Sequence, residues 1–120
     1  WRSFVKFNPL ELLSKNKSAL GSSLYWPQEL SAEGILSTNP NTNIFANWTK
    51  AIFIYCDGSF HQGFSKNSFK YKDSQLYFRG SLITRSHLRY LSKILSFETL
   101  DKLVVSGSSA GGIASFIWSQ

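Results

Sequence analysis

Gly107-Ser108-Ser109-Ala110-Gly111 directly follows the apolar run Leu103-Val104-Val105 and directly precedes a helical pattern over residues 113–118. A Gly-Xaa-Ser-Xaa-Gly pentapeptide alone constrains little, because Gly and Ser are common. Between a strand and a helix it has the context of a nucleophile elbow, where a serine occupies a sharp, strained turn. Such a turn needs small residues two positions to either side. Gly107 and Gly111 are expected to let strand and helix approach without a Cβ collision. The turn would lift the Ser109 hydroxyl to the positive end of the following helix. The Ala110 N–H would then face the oxyanion formed when Ser109 attacks a carbonyl. A dinucleotide loop is excluded by the spacing of Gly107, Gly111 and Gly112, and a Walker-type loop by the absence of Gly-Lys-Ser or Gly-Lys-Thr. The remaining alternative is a tight turn with an incidental serine.

The elements around this turn alternate. Asn8, Pro9 and Glu11 mark a helix start, Leu10, Leu13 and Leu20 fall near one face, and Gly21 is a plausible stop. Residues 22–50 are irregular and turn-rich. Residues 51–56 form a continuous apolar run ended by Asp57-Gly58, which predicts a strand buried on both faces. The segment 60–79 is polar and aromatic, with 75–78 a short strand or an ordered loop. From Ser81 the period is helical: Ile83, His87, Leu88, Leu91, Ile94 and Leu95 make the apolar stripe, and Arg85, Arg89, Ser92 and Lys93 face away. Leu103 to Val105 is predicted as a short buried strand. Strands alternating with helices predict an α/β layer architecture around a parallel sheet.

The chain has 120 residues and no Met, and it stops at Gln120 inside a helical pattern. It is therefore expected to be part of a larger domain, truncated at both ends. At 17% charged and 42% hydrophobic residues it reads as globular and not as a disordered tail. Its longest apolar run is far short of the roughly 18 residues of a membrane span. The net charge of +6 raises a polyanionic partner, but the thirteen basic residues are spread along the chain and nucleic acid is not expected. Lys66, Lys70 and Lys72, interleaved with Phe64, Phe69 and Tyr71, read first as a solvated loop and second as a polyanion contact. A single cysteine, Cys56, permits no internal disulfide.

Several segments together resemble the pectin acetylesterase and Notum carboxylesterase family. Residues 105–112 are similar to its elbow, where Ser-Ala-Gly-Gly follows a strand, and Tyr55-Cys56-Asp57-Gly58-Ser59 looks like its Tyr-Cys-Asp-Gly-Ser segment. Gly34-Ile35-Leu36-Ser37, Asn47-Trp48-Thr49-Lys50 and Leu76-Tyr77-Phe78-Arg79-Gly80 resemble the stretches leading into that strand and into the helix before the elbow. The resemblance implies an α/β-hydrolase fold, three layers around a mainly parallel sheet. Residues 1–120 would supply only its N-terminal to central portion. It also implies a serine esterase that needs no metal or cofactor, acting on an acylated polysaccharide or an acylated protein, and secreted. Trp1 falls where the family has the Trp of its Gly-Gly-Trp oxyanion loop, so its N–H would be a second oxyanion donor. The family's cysteine soon after that Trp is absent here, and a partner for Cys56 would lie outside the chain.

The family's triad Asp and His lie further downstream. His61 and His87 both precede Ser109, against the hydrolase order of Ser, acid and His. The chain alone is therefore expected to be inactive. His87 reads as a packed histidine; Asp57 and His61 are possible substrate contacts, with turn formation the plainer role for Asp57. Asn16 and Asn47 begin glycosylation sequons. A pseudo-esterase that only binds a glycan or acyl ligand is the alternative to the enzyme. Oligomeric state is not legible.

Overall fold

The periodic stripe after Ser81 becomes the longest element, helix α1, Gly80–Leu95. Ile83, His87, Leu88, Leu91 and Leu95 are half-buried as the stripe requires, Gly80 and Thr84 are buried, and Ile94 is exposed. Arg85, Arg89, Ser92 and Lys93 face solvent. Its last turn carries Lys93, a favourable charge at the negative end of the helix dipole. The chain leaves through Ser96 at φ 48° and ψ 65°, the left-handed position that usually falls to glycine.

The structure, a computed structural model, describes residues 21–120. Trp1, the helix expected to start at Asn8 and the Asn16 sequon lie outside the described residues. Within them come two short 3-10 turns (Ser23–Tyr25 and Gly34–Leu36), strands β1 (Phe69–Tyr71) and β2 (Ser74–Leu76), α1, a 3-10 turn at Phe97–Thr99, and helix α2, Ala110–Trp118. Buried Asn43 organises residues 35–45: its Nδ2 donates to the carbonyls of Ile35 (2.9 Å) and Ser37 (2.6 Å), and its Oδ1 accepts from the Phe45 N–H (3.0 Å). Asn47 is exposed in the turn that follows.

Two strand expectations are not met. Residues 51–56 and 103–105 join no ladder among the described residues. Ala51 and Ile52 are exposed, as are Leu103 (61%), Val104 (48%) and Val105 (48%), so the expected burial on both faces is absent. A parallel strand is stabilised by neighbours in the sheet and helices on its faces, and an apolar run states only what a segment would favour. The sheet observed among the described residues is instead an antiparallel hairpin of β1 and β2, with Phe69 opposite Leu76, Lys70 opposite Gln75 and Tyr71 opposite Ser74. It falls in the segment expected to be loop, with 75–78 a short strand at most. Its two-residue turn is made by Lys72, at φ 52°, and Asp73.

Candidate active site

Ser109 stands at the entry to α2 with φ 52° and ψ −118°. This is neither the helical nor the left-handed helical well, as the contrast with Ser96 at ψ 65° makes plain. For a residue with a Cβ it costs about 1–3 kcal/mol. A serine before a helix usually caps it, its oxygen accepting an N–H of the first turn, for about 1 kcal/mol. Ser109 makes no such bond. Its side chain is exposed, and its hydroxyl has no hydrogen bond among the described residues. The turn is closed by backbone alone: Gly111 N–H donates to Ser108 O (2.8 Å) and Ile113 N–H to Ser109 O (3.2 Å). The N–H of half-buried Ala110 has no acceptor among the described residues, as expected of the first N–H of a helix.

The two glycines differ. A Cβ on Gly107 would meet the Gly111 carbonyl and the Gly112 nitrogen closer than any real Cβ contact, so this position admits only glycine. A Cβ on Gly111 would meet nothing within 4 Å. The expectation that both glycines relieve a Cβ collision is therefore corrected for Gly111, whose backbone, not its missing side chain, makes the close approach.

Residues 57–63 form a second tight turn. The Asp57 carboxylate accepts from the Ser59 N–H (3.1 Å) and, in a short bond, from the Ser59 hydroxyl. Ser59 Oγ in turn accepts from the Gly63 N–H (3.0 Å), and Gly63 O accepts from both Ser81 N–H (3.0 Å) and Ser81 Oγ (3.1 Å) at the start of α1. Gly63 and Gly80 pack so closely on Ser59 and His61 that neither has room for a Cβ. His61 is buried at φ 60°, its ring stacked on Tyr55 at 5.0 Å. Burial holds its pKa below the ordinary value; the Asp57 charge opposes this and His87 adds to it slightly. Its carbonyl accepts from Trp118 Nε1 (3.3 Å), which ties the turn to the end of α2 remote from Ser109. No hydrogen bond among the described residues joins His61 to Ser109. His87 packs edge-on against Phe53 (5.1 Å).

Asp57 also lines an open cleft of about 550 Å³, with Cys56, Tyr77, Arg79, Leu82 and Ser86 among its walls and Ser109 not among them. Burial first, and the Asp57 charge second, push the Cys56 thiol up, which keeps it protonated and a poor nucleophile. Sequence reasoning missed Ser59, Gly63, Gly80 and Trp118 as partners of this turn. Only the glycines in Gly58-Ser59…Gly63 carried a signal, and none of the residues carried its partner.

Residues 5–120 match the family model described as Pectinacetylesterase. Pectin acetylesterase 5 of Arabidopsis thaliana is 40% identical over 101 residues, covering 82% of this chain and 23% of the relative. Pectin acetylesterase 4 of the same plant is 33% identical over 99 residues, covering 82% and 24%. Palmitoleoyl-protein carboxylesterase notum1' of Xenopus laevis is 38% identical over 97 residues, covering 78% and 19%. The chain thus spans about a fifth to a quarter of the length of these relatives. No solved structure matches it.

Proposed function

This chain belongs to the pectinacetylesterase family, and from that premise we propose that it carries the nucleophile of a serine carboxylesterase with an α/β-hydrolase fold, of which residues 1–120 form a part. The observation that carries the reading is Ser109: a strained backbone at φ 52° and ψ −118°, a hydroxyl left out of the helix cap, and the unpaired Ala110 N–H beside it. A strained residue that caps nothing has no evident structural purpose, and strain of this kind collects at sites of chemistry.

In the proposed reaction Ser109 Oγ attacks the ester carbonyl carbon while a histidine from beyond this chain takes its proton. The carbonyl oxygen becomes the oxyanion, held by the Ala110 N–H and, by family resemblance, the Trp1 N–H. One such donor is typically worth about 3 kcal/mol. The intermediate collapses, the histidine returns the proton to the departing alcohol, and an acyl ester on Ser109 remains. Water then attacks this ester, gives its proton to the histidine, and releases the acid. The chain without that histidine is proposed to be inactive. Asp57 and His61 remain proposed contacts at the edge of the site.

The substrate is proposed to be an acetyl ester on a polysaccharide, in line with the names of the plant relatives, or a fatty-acyl ester on a protein, in line with that of the frog relative. Secretion is proposed on the family resemblance, and the exposed Asn47 sequon agrees with it. The test is acid release from an acetyl ester by the complete protein, with Ser109→Ala as control. A loss of about 10⁴–10⁶ in kcat is expected, and an active Ser109→Ala protein would sink the proposal.

A further inference from the structure

Asparagine recurs along residues 39–47, and the turns there use it at some positions and not at others. Asn39 Oδ1 accepts from the Asn41 N–H (3.0 Å), and Asn43 engages the carbonyls of Ile35 and Ser37 and the Phe45 N–H. These are the ordinary roles of Asn in a turn. Asn47 has neither. It is exposed, and its side chain makes no hydrogen bond among the described residues. Thr49, two residues on, is exposed and equally unbonded among them. The turn that presents both is held without their side chains. Phe45 O accepts from the Trp48 N–H (3.0 Å), and Lys50 Nζ donates to Ala46 O (2.7 Å) and Trp48 O (3.2 Å).

The same turn sets two rings beside Asn47. Phe45 and Trp48 pack edge-on with centroids 5.0 Å apart, so each keeps at least one face that the other does not cover. Phe45 is half-buried, Trp48 is 36% exposed and Ile44 is 86% exposed. Two residues of backbone span at most about 7 Å, so a group attached to the Asn47 amide starts close to both rings.

We propose that Asn47 carries an N-linked oligosaccharide whose first N-acetylglucosamine lies against the Phe45 and Trp48 rings. Asn47-Trp48-Thr49 is the acceptor triplet, and a residue that carries a bulky glycan has to sit at the surface with its amide free of other duties. In the transfer, Asn47 Nδ2 bonds to C1 of the first sugar of a lipid diphosphate-linked oligosaccharide. The C1–O bond breaks, the lipid diphosphate leaves with the bonding pair, and the amide loses one proton to the transferring enzyme. The C–H face of the sugar then covers ring surface otherwise left in water, which favours the folded chain. The proposal rests on the secretion proposed above, since that donor is met on the secretory route. The rival cover for these rings is an apolar partner protein, which would use neither the Asn47 amide nor the Thr49 hydroxyl.

The test passes the complete protein, behind an added signal peptide, through the secretory route of cells whose glycans stay high-mannose. Peptide mapping then reads residue 47. A glycan is expected there on most molecules, and Thr49→Ala, which leaves Asn47 in place, is expected to abolish it. Thr49 is exposed and bonds nothing among the described residues, so this substitution by itself barely moves stability. An endoglycosidase that cuts beyond the first sugar next leaves one N-acetylglucosamine on each occupied site. In that form the unsubstituted protein is expected to have a folding equilibrium constant about fivefold above that of Thr49→Ala. In a Phe45→Leu background, apolar but without the ring, the difference is expected to fall below about twofold. An unmodified Asn47 would overturn the proposal. Equal stability of the first pair, or a difference undiminished by Phe45→Leu, would overturn the ring contact. Export without the added signal peptide reads the secretion proposal separately, so either can fail alone.

Discussion

Two tight turns in this molecule each centre on a serine, and they use it in opposite ways. In residues 57–63 the polar groups named above are engaged: Ser59 Oγ donates to Asp57 and accepts from Gly63, and the carbonyls of His61 and Gly63 are bonded to Trp118 and Ser81. In residues 107–111 the Ser109 hydroxyl and the Ala110 N–H are left without partners among the described residues, on a backbone that costs energy to hold. A serine that stabilises a turn is saturated by it. A serine proposed as a nucleophile must remain available, and the strain at Ser109 then has to be held by its surroundings, here by the close backbone approach of Gly107 to Gly111.

The widest gap between the turns is expected in activity. Ser109→Ala should lower ester hydrolysis by about 10⁴–10⁶ in kcat while changing the free energy of urea unfolding by less than about 0.5 kcal/mol. A Ser109→Ala protein that is inactive because it has unfolded would erase the contrast. Within the elbow, Gly107→Ala should destabilise by more than about 2 kcal/mol, because its Cβ meets backbone that cannot give way. Gly111→Ala, with open space around the new methyl, should be neutral or stabilising by up to about 1 kcal/mol. Urea unfolding of both would break the asymmetry if they behaved alike.

In the turn at 57–63, Ser59→Ala should cost about 1–3 kcal/mol by stranding a carboxylate oxygen and the Gly63 N–H. Its kcat/KM on a small ester should change far less than that of Ser109→Ala. The smallest effect is a pH dependence. Because burial lowers the pKa of His61 in the folded chain, the unfolded chain binds the proton more readily. This contribution is fully present above the unfolded value near 6.5 and is lost as pH falls through it toward the folded pKa. Melting temperature should therefore drop on acidification, and less so in His61→Asn, since Asn tolerates the left-handed backbone at φ 60°. An unchanged slope in that variant would remove His61 as the cause.

What could be read from the sequence was local. The stripe of α1 and the Gly-Xaa-Ser-Xaa-Gly turn are short-range patterns, and each forms where its spacing placed it, α1 starting at Gly80 and not Ser81. The hairpin escaped because its turn, Lys72-Asp73, lacks the Asn-Gly or Gly pairs that announce two-residue loops, although Lys72 takes the positive φ such a turn demands. The bonds of the 57–63 turn span the gap to Ser81 and to Trp118, and nothing in either residue's neighbours names its partner. The apolar runs at 51–56 and 103–105 state a preference for burial and cannot supply a neighbouring strand. Of the two glycines in the Gly-Xaa-Ser-Xaa-Gly turn only Gly107 is required by space, a distinction that the sequence, which shows both alike, does not carry.

The bond from Trp118 to the His61 carbonyl has an optical consequence. The indole N–H is held by that carbonyl, and the ring lies 5.9 Å from the Arg85 guanidinium. With the other tryptophans replaced by Phe, Trp1, Trp26 and Trp48 among them, its emission wavelength reports whether the helix behind Ser109 is seated on the turn. Seating of the elbow can thus be followed in real time by fluorescence, with no substrate present.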